Sequence, residues 1–571
     1  MMTHSYTNFT TALYCTVSCL DNPLDQINEE MTFFEKHLNV SKVYIETHRG
    51  TKTLKKEKLQ ELKQFFQEKN IQVAGGITPT LGDEYRPGYK RLFGGICYTD
   101  QTSRKKFQKV VELTAELFDE IILDDFFFTN CRCDDCLEQK GDKTWESFRL
   151  ELLEEVSSNL VVTPAKKVNP NVKLVIKYPN WNESYATSGY NTEKQPELFD
   201  GVYTGTETRD PATSQQHIPR YASFSLMTWM ENLLPGKNGG GWFDRLDCTY
   251  TDYYLEQANL TVFAKAKEIT LFNYSNLKDH LYTPSLGFRL DKLDQLVGKL
   301  GNPIGVKVYH PHHGKGEDHL YDYLGMSGIP FEMTPYFPVD PGSLLLTASA
   351  SGDTHIIEKM KAYLKKGGNI FMTSGFIEKM DGHGVDEFTT LKPTGKKYLT
   401  KRFAIETAGC TFDDFIDSSE NASFPLFEYS TNATWQTVVG WNGQNNSPIF
   451  MYDHYSKGTV FSLIVPDHFT DLWRLPRQVV TKIRETMVES FLDYSLKGPA
   501  NIGFFPYDNG TFILETFEVS PEKWSIEFSG EKTLVDLKTG KNLEPDRLTT
   551  DGVKQVDIEL HPFEYRGFKV R

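Results

Sequence analysis

Two aspartates close the segment EIILDD, and three cysteines spaced C-x-C-x-x-C follow a few residues later. Asp124 and Asp125 end a run with the character of a buried strand, where a carboxylate is costly unless it is paired or used. Neighbours on a strand point to opposite faces. Asp124 is therefore expected to enter the site, and Asp125 to orient the loop or bind a hydroxyl. Glu207, after the short apolar strand in YTGTETRDP, is the best second carboxylate. Two carboxyls flanking one bond, one protonated and one ionised, are what glycoside hydrolysis requires. Cys131, Cys133 and Cys136 share the loop beyond the aspartates, and Cys97 lies in GGICYTD, after the preceding strand. Four thiolates brought together by adjacent loops suit tetrahedral, closed, structural zinc, which would brace the Asp124–Asp125 segment. Free or disulfide-bonded cysteines are the alternative. Cys15, Cys19, Cys248 and Cys410 are scattered and read as core thiols.

The elements that must carry these residues alternate strand and helix through the first ~295 residues. ALYCTVSCL, KVYIETH, IQVAGGITP, EIILDD, VKLVIKY, DGVYTGTE and EITLFNYS read as strands. One further strand falls within ASFSLMTWMEN or GGGWFD. Eight strands with helices between them predict a (β/α)8 TIM barrel, with a doubly wound sheet as the alternative. Barrel chemistry sits beyond the strand C-termini. The residues found there are Glu46, His48 and Arg49 (strand two), Lys177, Tyr178 and Trp181 (strand five), Arg209 and Asp210 (strand six), Trp229, Glu231, Trp242 and Asp244 (the strand-seven region) and Asn273 (strand eight). This is a carboxylate-lined mouth with aromatic rings suited to stacking on sugars. The expected catalytic set is Asp124, Asp125 and Glu207, and the other mouth residues, Asp210 aside, are expected to bind substrate. The strand-four aspartate would be the nucleophile and Glu207 the acid/base.

Beyond the barrel (1–297), a second α/β region spans 298–497, and a small antiparallel β domain with DNG and KTG turns spans 498–571. The candidate elbow LLLTASASGD has Ser and no Cys nucleophile, so the middle domain reads as structural or subunit-contacting.

The whole-chain totals are those of an ordinary globular protein, and the net charge of −15 argues against a nucleic-acid partner. No stretch is apolar enough to predict a membrane span, and no signal peptide is visible. A bacterial cytoplasmic or periplasmic enzyme is expected, without an organic cofactor.

On the domain order and the cysteine pattern, the chain resembles the family 42 β-galactosidases. The resemblance implies a barrel followed by a flavodoxin/amidotransferase-like α/β domain and a small β domain. It also implies a zinc site at Cys97, Cys131, Cys133 and Cys136, and an oligomer, a homotrimer above all, formed through the middle domain. That family carries Asn-Glu after strand four and a nucleophilic Glu after strand seven. Asp124-Asp125 departs from this pattern and is more similar to retaining α-glycosidases of the α-galactosidase type. The leading expectation is a glycoside hydrolase acting on α-linked oligo- or polysaccharides. The alternatives are a non-catalytic carbohydrate-binding barrel, a β-galactosidase-like enzyme with a strand-seven nucleophile, and a metal-dependent hydrolase using the aspartates and His48.

Overall fold

A computed structural model describes residues 4–82, 88–407, 411–443, 445–548 and 552–571. Cys410 lies outside the described residues. The chain divides into two compact units, Met1–Gly298 and Lys299–Arg571.

The first unit is a closed barrel of eight parallel strands: β1 (Thr10–Cys15), β2 (Lys42–Arg49), β3 (Gln72–Ile77), β4 (Glu120–Leu123), β5 (Lys173–Tyr178), β6 (Gly201–Gly205), β7 (Asn238–Asp244) and β8 (Glu268–Phe272). Each strand pairs with the next, and β8 pairs with β1 to close the ring. Ala12, Tyr14, Tyr44, Ala74, Ile122, Val175, Tyr203 and Trp242 fill the interior, so the barrel is a packed core rather than a pore. Below them, at the strand N-terminal ends, the Lys42 ammonium is paired with Glu120 and Glu268, and the Tyr44 hydroxyl donates to Glu268 at 2.8 Å. The closed ring excludes the doubly wound alternative. It also decides the seventh strand: GGGWFD lies in β7, and ASFSLMTWMEN lies in a helix, Ala222–Leu233. From Ala222 to Met230 that helix is buried on every side. It therefore shows no amphipathic period to separate it from a buried strand.

The second unit opens with a parallel sheet: β9 (Val306–Tyr309), β10 (Phe331–Thr334), β11 (Ser343–Leu346) and β12 (Asn369–Thr373). An antiparallel extension follows, made of β13 (Lys392–Thr407), β14 (Thr411–Glu428), β15 (Trp435–Asn442), β16 (Asn445–Tyr455) and β17 (Gly458–Leu463). The sheet order is β10-β9-β11-β12-β17-β16-β15-β13-β14. The middle region is thus a mixed sheet, with a long antiparallel arm beyond the expected α/β pattern. Beyond β11 and β12, backbone N–H groups of Ala348 and Gly375 donate to the Glu317 carboxylate, at 2.7 and 2.9 Å. A side chain of the chain itself fills that place, in keeping with a structural middle domain. Residues 494–570 form two small antiparallel sheets that share one core, including Phe504, Phe512, Trp524, Ile526 and Phe568. Among the described residues, no helix is long and apolar enough to cross a membrane.

Candidate active site

Lys177 lies at the centre of the barrel's C-terminal face. It is the penultimate residue of β5, and its side chain is 1% exposed. Its Nζ donates to Asp125 Oδ2 at 2.7 Å and to Glu207 Oε1 at 2.8 Å, and lies 3.8 Å from Asp124 Oδ1. The Asp125 and Glu207 oxygens are therefore at most 5.5 Å apart, the two contacts laid end to end. The structure thus brings all three expected carboxylates together. Glu207 can fold back onto Lys177 because β6 ends in glycine: a Cβ at Gly205 would sit 2.6 Å from Glu207 Oε2.

The two aspartates have opposite surroundings. β4 ends at Leu123, and the chain turns so that the Asp125 N–H donates to Asp124 Oδ1 at 2.8 Å. Asp124 is buried, with its other oxygen accepting from Arg49 Nη2 at 3.0 Å and lying 3.0 Å from Thr78 Oγ1, whose single proton it shares with Glu46. Burial works against its charge, but Lys177 and Arg49 outweigh it and hold the carboxyl below its usual range. The Asp125 side chain is 20% exposed. Burial and the nearby Asp124 and Glu207 charges push its carboxyl up to about 7, against the pull of Lys177. Burial also raises Glu207, with Lys177 opposing and Asp244 adding to the rise. Glu207 Oε2 is buried without a hydrogen-bond partner. The Tyr190 hydroxyl donates to the Asp125 carbonyl at 2.5 Å and fixes the turn.

Two arginines complete the mouth. Arg49 Nε donates to Glu46 at 2.8 Å, and its guanidinium packs over the rings of Phe126 and Phe272. Glu46 is fully buried and also accepts from Thr78 Oγ1 at 2.6 Å and from the Val17 N–H at 2.7 Å. Arg209, at φ 56°, binds both oxygens of Asp244, at 2.9 and 2.8 Å.

Other expected binding residues lie elsewhere. His48 engages Thr53 Oγ1 and the Thr80 carbonyl through its two ring nitrogens, at 2.7 and 2.6 Å, and does not join the aspartates. Tyr178 follows Lys177 on the strand, so it points out of the barrel and packs on Tyr185 and Tyr190. Trp229 is buried on the Ala222–Leu233 helix against Tyr185. Glu231, near the end of that helix, accepts from the Gly236 N–H at 2.7 Å, at the N-terminal end of β7 and away from the mouth. Trp242 is core, beneath Lys177 at 4.3 Å. Asn273 caps the helix that follows it, accepting from the Asn276 N–H at 3.1 Å. Trp181 is half-buried against Phe128. Thr78, Tyr190, Phe126 and Phe272 escaped sequence reasoning. Only Thr78 left a signal there, as a polar residue just past a barrel strand.

Cys97, Cys131, Cys133 and Cys136 form a second centre beside β4. They are buried, and their sulfurs all lie within 4.8 Å of one another. Cys97 is 3.6 Å from Cys133 and 3.8 Å from Cys136, and Cys133 is 3.6 Å from Cys136. A zinc ion with ~2.3 Å bonds to a sulfur tetrahedron places the sulfurs roughly 3.8 Å apart. The donor set fits that ion.

Residues 1–290 match the family model described as a probable glycosyl hydrolase catalytic domain, 301–468 the second domain of the uncharacterized protein SSO3021, and 493–570 a probable glycosyl hydrolase C-terminal domain. SSO3021 itself, from Saccharolobus solfataricus, is 27% identical over 496 residues, 80% of this chain and 81% of that protein. Among solved structures, a GH42 β-galactosidase from G. stearothermophilus shares the fold at 12% identity, covering 100% of both chains with a TM-score of 0.66. An α-L-fucosidase isoenzyme 2 from Paenibacillus thiaminolyticus does so at 10% identity, covering 99% of both, also at 0.66. An exo-β-1,4-mannosidase from Opitutaceae bacterium strain TAV5 does so at 10% identity, covering 85% of this chain and 96% of the other, at 0.56. The catalytic-domain match spans half of the sequence and contains Asp125, Lys177 and Glu207, and by it this chain belongs to the probable glycosyl hydrolases.

Proposed function

We propose that this glycosyl hydrolase is a retaining enzyme acting on α-linked glycans, with Asp125 as nucleophile and Glu207 as acid/base. The observation that carries this reading is the Lys177 ammonium between the two carboxylates, which holds Asp125 Oδ2 and Glu207 Oε1 within 5.5 Å of each other. Retaining enzymes separate their carboxyls by roughly 5–5.5 Å, and inverting ones by roughly 6.5–9.5 Å. Asp125 is the more open of the pair, so its free oxygen can attack the anomeric carbon. Glu207 is the more buried, and its unpartnered Oε2 can keep a proton without losing a hydrogen bond. In the first step the Asp125 oxygen bonds to the anomeric carbon, the glycosidic bond breaks, and Glu207 protonates the departing oxygen. In the second, Glu207 takes a proton from water, whose oxygen displaces Asp125. Asp124, buried and ionised beside Lys177 and Arg49, positions the turn rather than meeting the sugar. This reverses the order expected for the two aspartates. The α preference rests on the strand-four aspartate and strand-six glutamate standing where the family 42 pattern has a strand-seven nucleophile. The α-L-fucosidase among the structural relatives is compatible with it.

Cys97, Cys131, Cys133 and Cys136 would hold a zinc ion. Bound there, it would tie the loop beyond Asp125 to the loop after β3 and supply no catalytic step.

Aryl α- and β-glycosides assayed with wild type, Asp125→Asn and Glu207→Gln test the reading. Wild type should cleave an α-glycoside, and Asp125→Asn should lose at least ~10³-fold on every substrate. Glu207→Gln should retain dinitrophenyl glycosides, whose leaving group needs no proton, while losing alkyl glycosides. If Asp125→Asn is the variant that retains them, the two roles are exchanged. If neither variant loses activity, the site is elsewhere.

A further inference from the structure

We propose that Lys177 is the positioning residue of this reaction, a fixed ammonium that stays paired with whichever of Asp125 and Glu207 carries the negative charge. This rests on the roles proposed above for the two carboxylates. Strand alternation aims Lys177 at them: Val175, two residues earlier on β5, fills the barrel interior, and Lys177 emerges above it. Its Nζ donates to Asp125 at 2.7 Å and to Glu207 at 2.8 Å, with Asp124 at 3.8 Å. Among the described residues, neither Asp125 nor Glu207 has a second ion-pair partner. The other cations of the mouth have their own carboxylates, Arg49 with Glu46 and Asp124, and Arg209 with Asp244. The Trp242 ring lies 4.3 Å from the ammonium and attracts it without exchanging a proton. Burial works against the charge of Lys177, but Asp125, Glu207 and Asp124 outweigh it and keep the side chain protonated.

The reaction moves one negative charge across this ammonium. When the Asp125 oxygen bonds to the anomeric carbon, Asp125 becomes a neutral ester. In the same step the Glu207 proton passes to the departing oxygen, and Glu207 becomes the carboxylate. The charge returns to Asp125 when water cleaves the ester and Glu207 takes up a proton. A cation touching one carboxylate alone would favour that end and hinder the transfer. Lys177 touches both at nearly equal distance, so no side chain has to rearrange as the charge crosses. Without it, a carboxylate as buried as Glu207 would take up a proton rather than serve as base, and Asp125, beside two other acids, would do the same rather than attack. Exchanging the roles of Asp125 and Glu207 would leave the pivot unchanged, because the contact is to both.

The test is the pH profile of kcat/KM on the dinitrophenyl form of an α-glycoside that wild type cleaves. That leaving group needs no proton, so the acidic limb follows ionisation of the nucleophile in the free enzyme. Lys177→Met keeps the length of the side chain and removes its charge, and its acidic limb should move up by roughly 1–3 pH units. In Lys177→Ala, methylammonium chloride should restore kcat/KM below the limb by at least ~10-fold, the equivalent of one pH unit, and sodium chloride at the same ionic strength should not. A circular dichroism spectrum checks the fold of each variant. The limb of Lys177→Met is decisive, and if that variant does not fold, recovery of Lys177→Ala by methylammonium takes its place. A limb that stays where it is in wild type, with an equal loss at every pH, overturns the pivot, leaves Lys177 as a structural contact and leaves the carboxylate pair standing. A wild type that turns over no aryl glycoside removes the pair, and the pivot with it.

Discussion

Asp125 is held where its charge is unfavourable. Its carboxyl sits near pH 7 rather than the ordinary 3.8, because of burial and its acidic neighbours. Between those values the folded protein binds this proton more tightly than the unfolded chain does. The stabilisation is therefore complete below about pH 3.8 and is lost as the pH rises through about 7. Asp125→Asn removes that titration and one of three like charges around Lys177. The variant should melt higher than wild type at pH 8, by on the order of 1–2 kcal/mol, and the gap should close toward pH 4. Thermal melts across this range check it. A variant that melts lower at pH 8 would mark the Asp125–Lys177 contact as a structural ion pair and withdraw Asp125 from catalysis. Activity should follow a bell in pH, because the Asp125–Glu207 pair works with one proton, and its two limbs belong to the pair rather than to either residue.

At the scale of elements, the barrel was legible because seven of its strands are bounded apolar runs with helical segments between them. The site was legible where a polar residue follows such a run, as with Asp124, Lys177 and Glu207. It was less legible where local geometry departs from the element. Alternation favoured Asp124 for the pocket; β4 ends at Leu123, and after the turn both aspartates reach Lys177, with Asp125 the more exposed. Trp229 and Glu231 were misplaced because their helix, buried on every side from Ala222 to Met230, has no readable period. The β13–β14 arm was missed because its strands mix charged and apolar residues without regular alternation, as in KKYLTKRFAIET. The cysteine loops were the clearest local signal, and they carry the next expectation. Purified protein should contain about one zinc per chain, and its four clustered thiols should resist alkylation until a strong chelator is added. Cys131→Ser should bind less zinc and melt lower, through the loss of the tether between the loops after β3 and β4. Metal-free protein with all four thiols reduced and freely alkylated would rule the site out.

At the scale of the whole chain, the second unit carries an open sheet edge and exposed apolar side chains. Its mixed sheet ends in β14, a strand of 18 residues with no partner on its outer side among the described residues. Long open edges invite pairing with another chain and are usually blunted or covered. Charge blunts part of this one, since Arg402 and Asp417 form a bidentate pair across β13 and β14. Apolar residues remain on the same arm: Leu399 is 58% exposed and Phe415 50% exposed, the latter packed on Trp441 with centroids 5.1 Å apart. In the same domain the Glu317 carboxylate accepts from the Ala348 and Gly375 N–H groups, as a structural contact would. Subunit contact would cover this surface, and we propose a homotrimer formed through residues 298–497. Light scattering on the intact protein should give three chain masses. The double variant Leu399→Asp, Phe415→Asp should shift the mass toward one chain while keeping its helix and strand content, because both side chains are exposed in the single chain. A wild-type mass of one chain would remove the trimer, and a trimer unaffected by the double variant would move the contact off this arm.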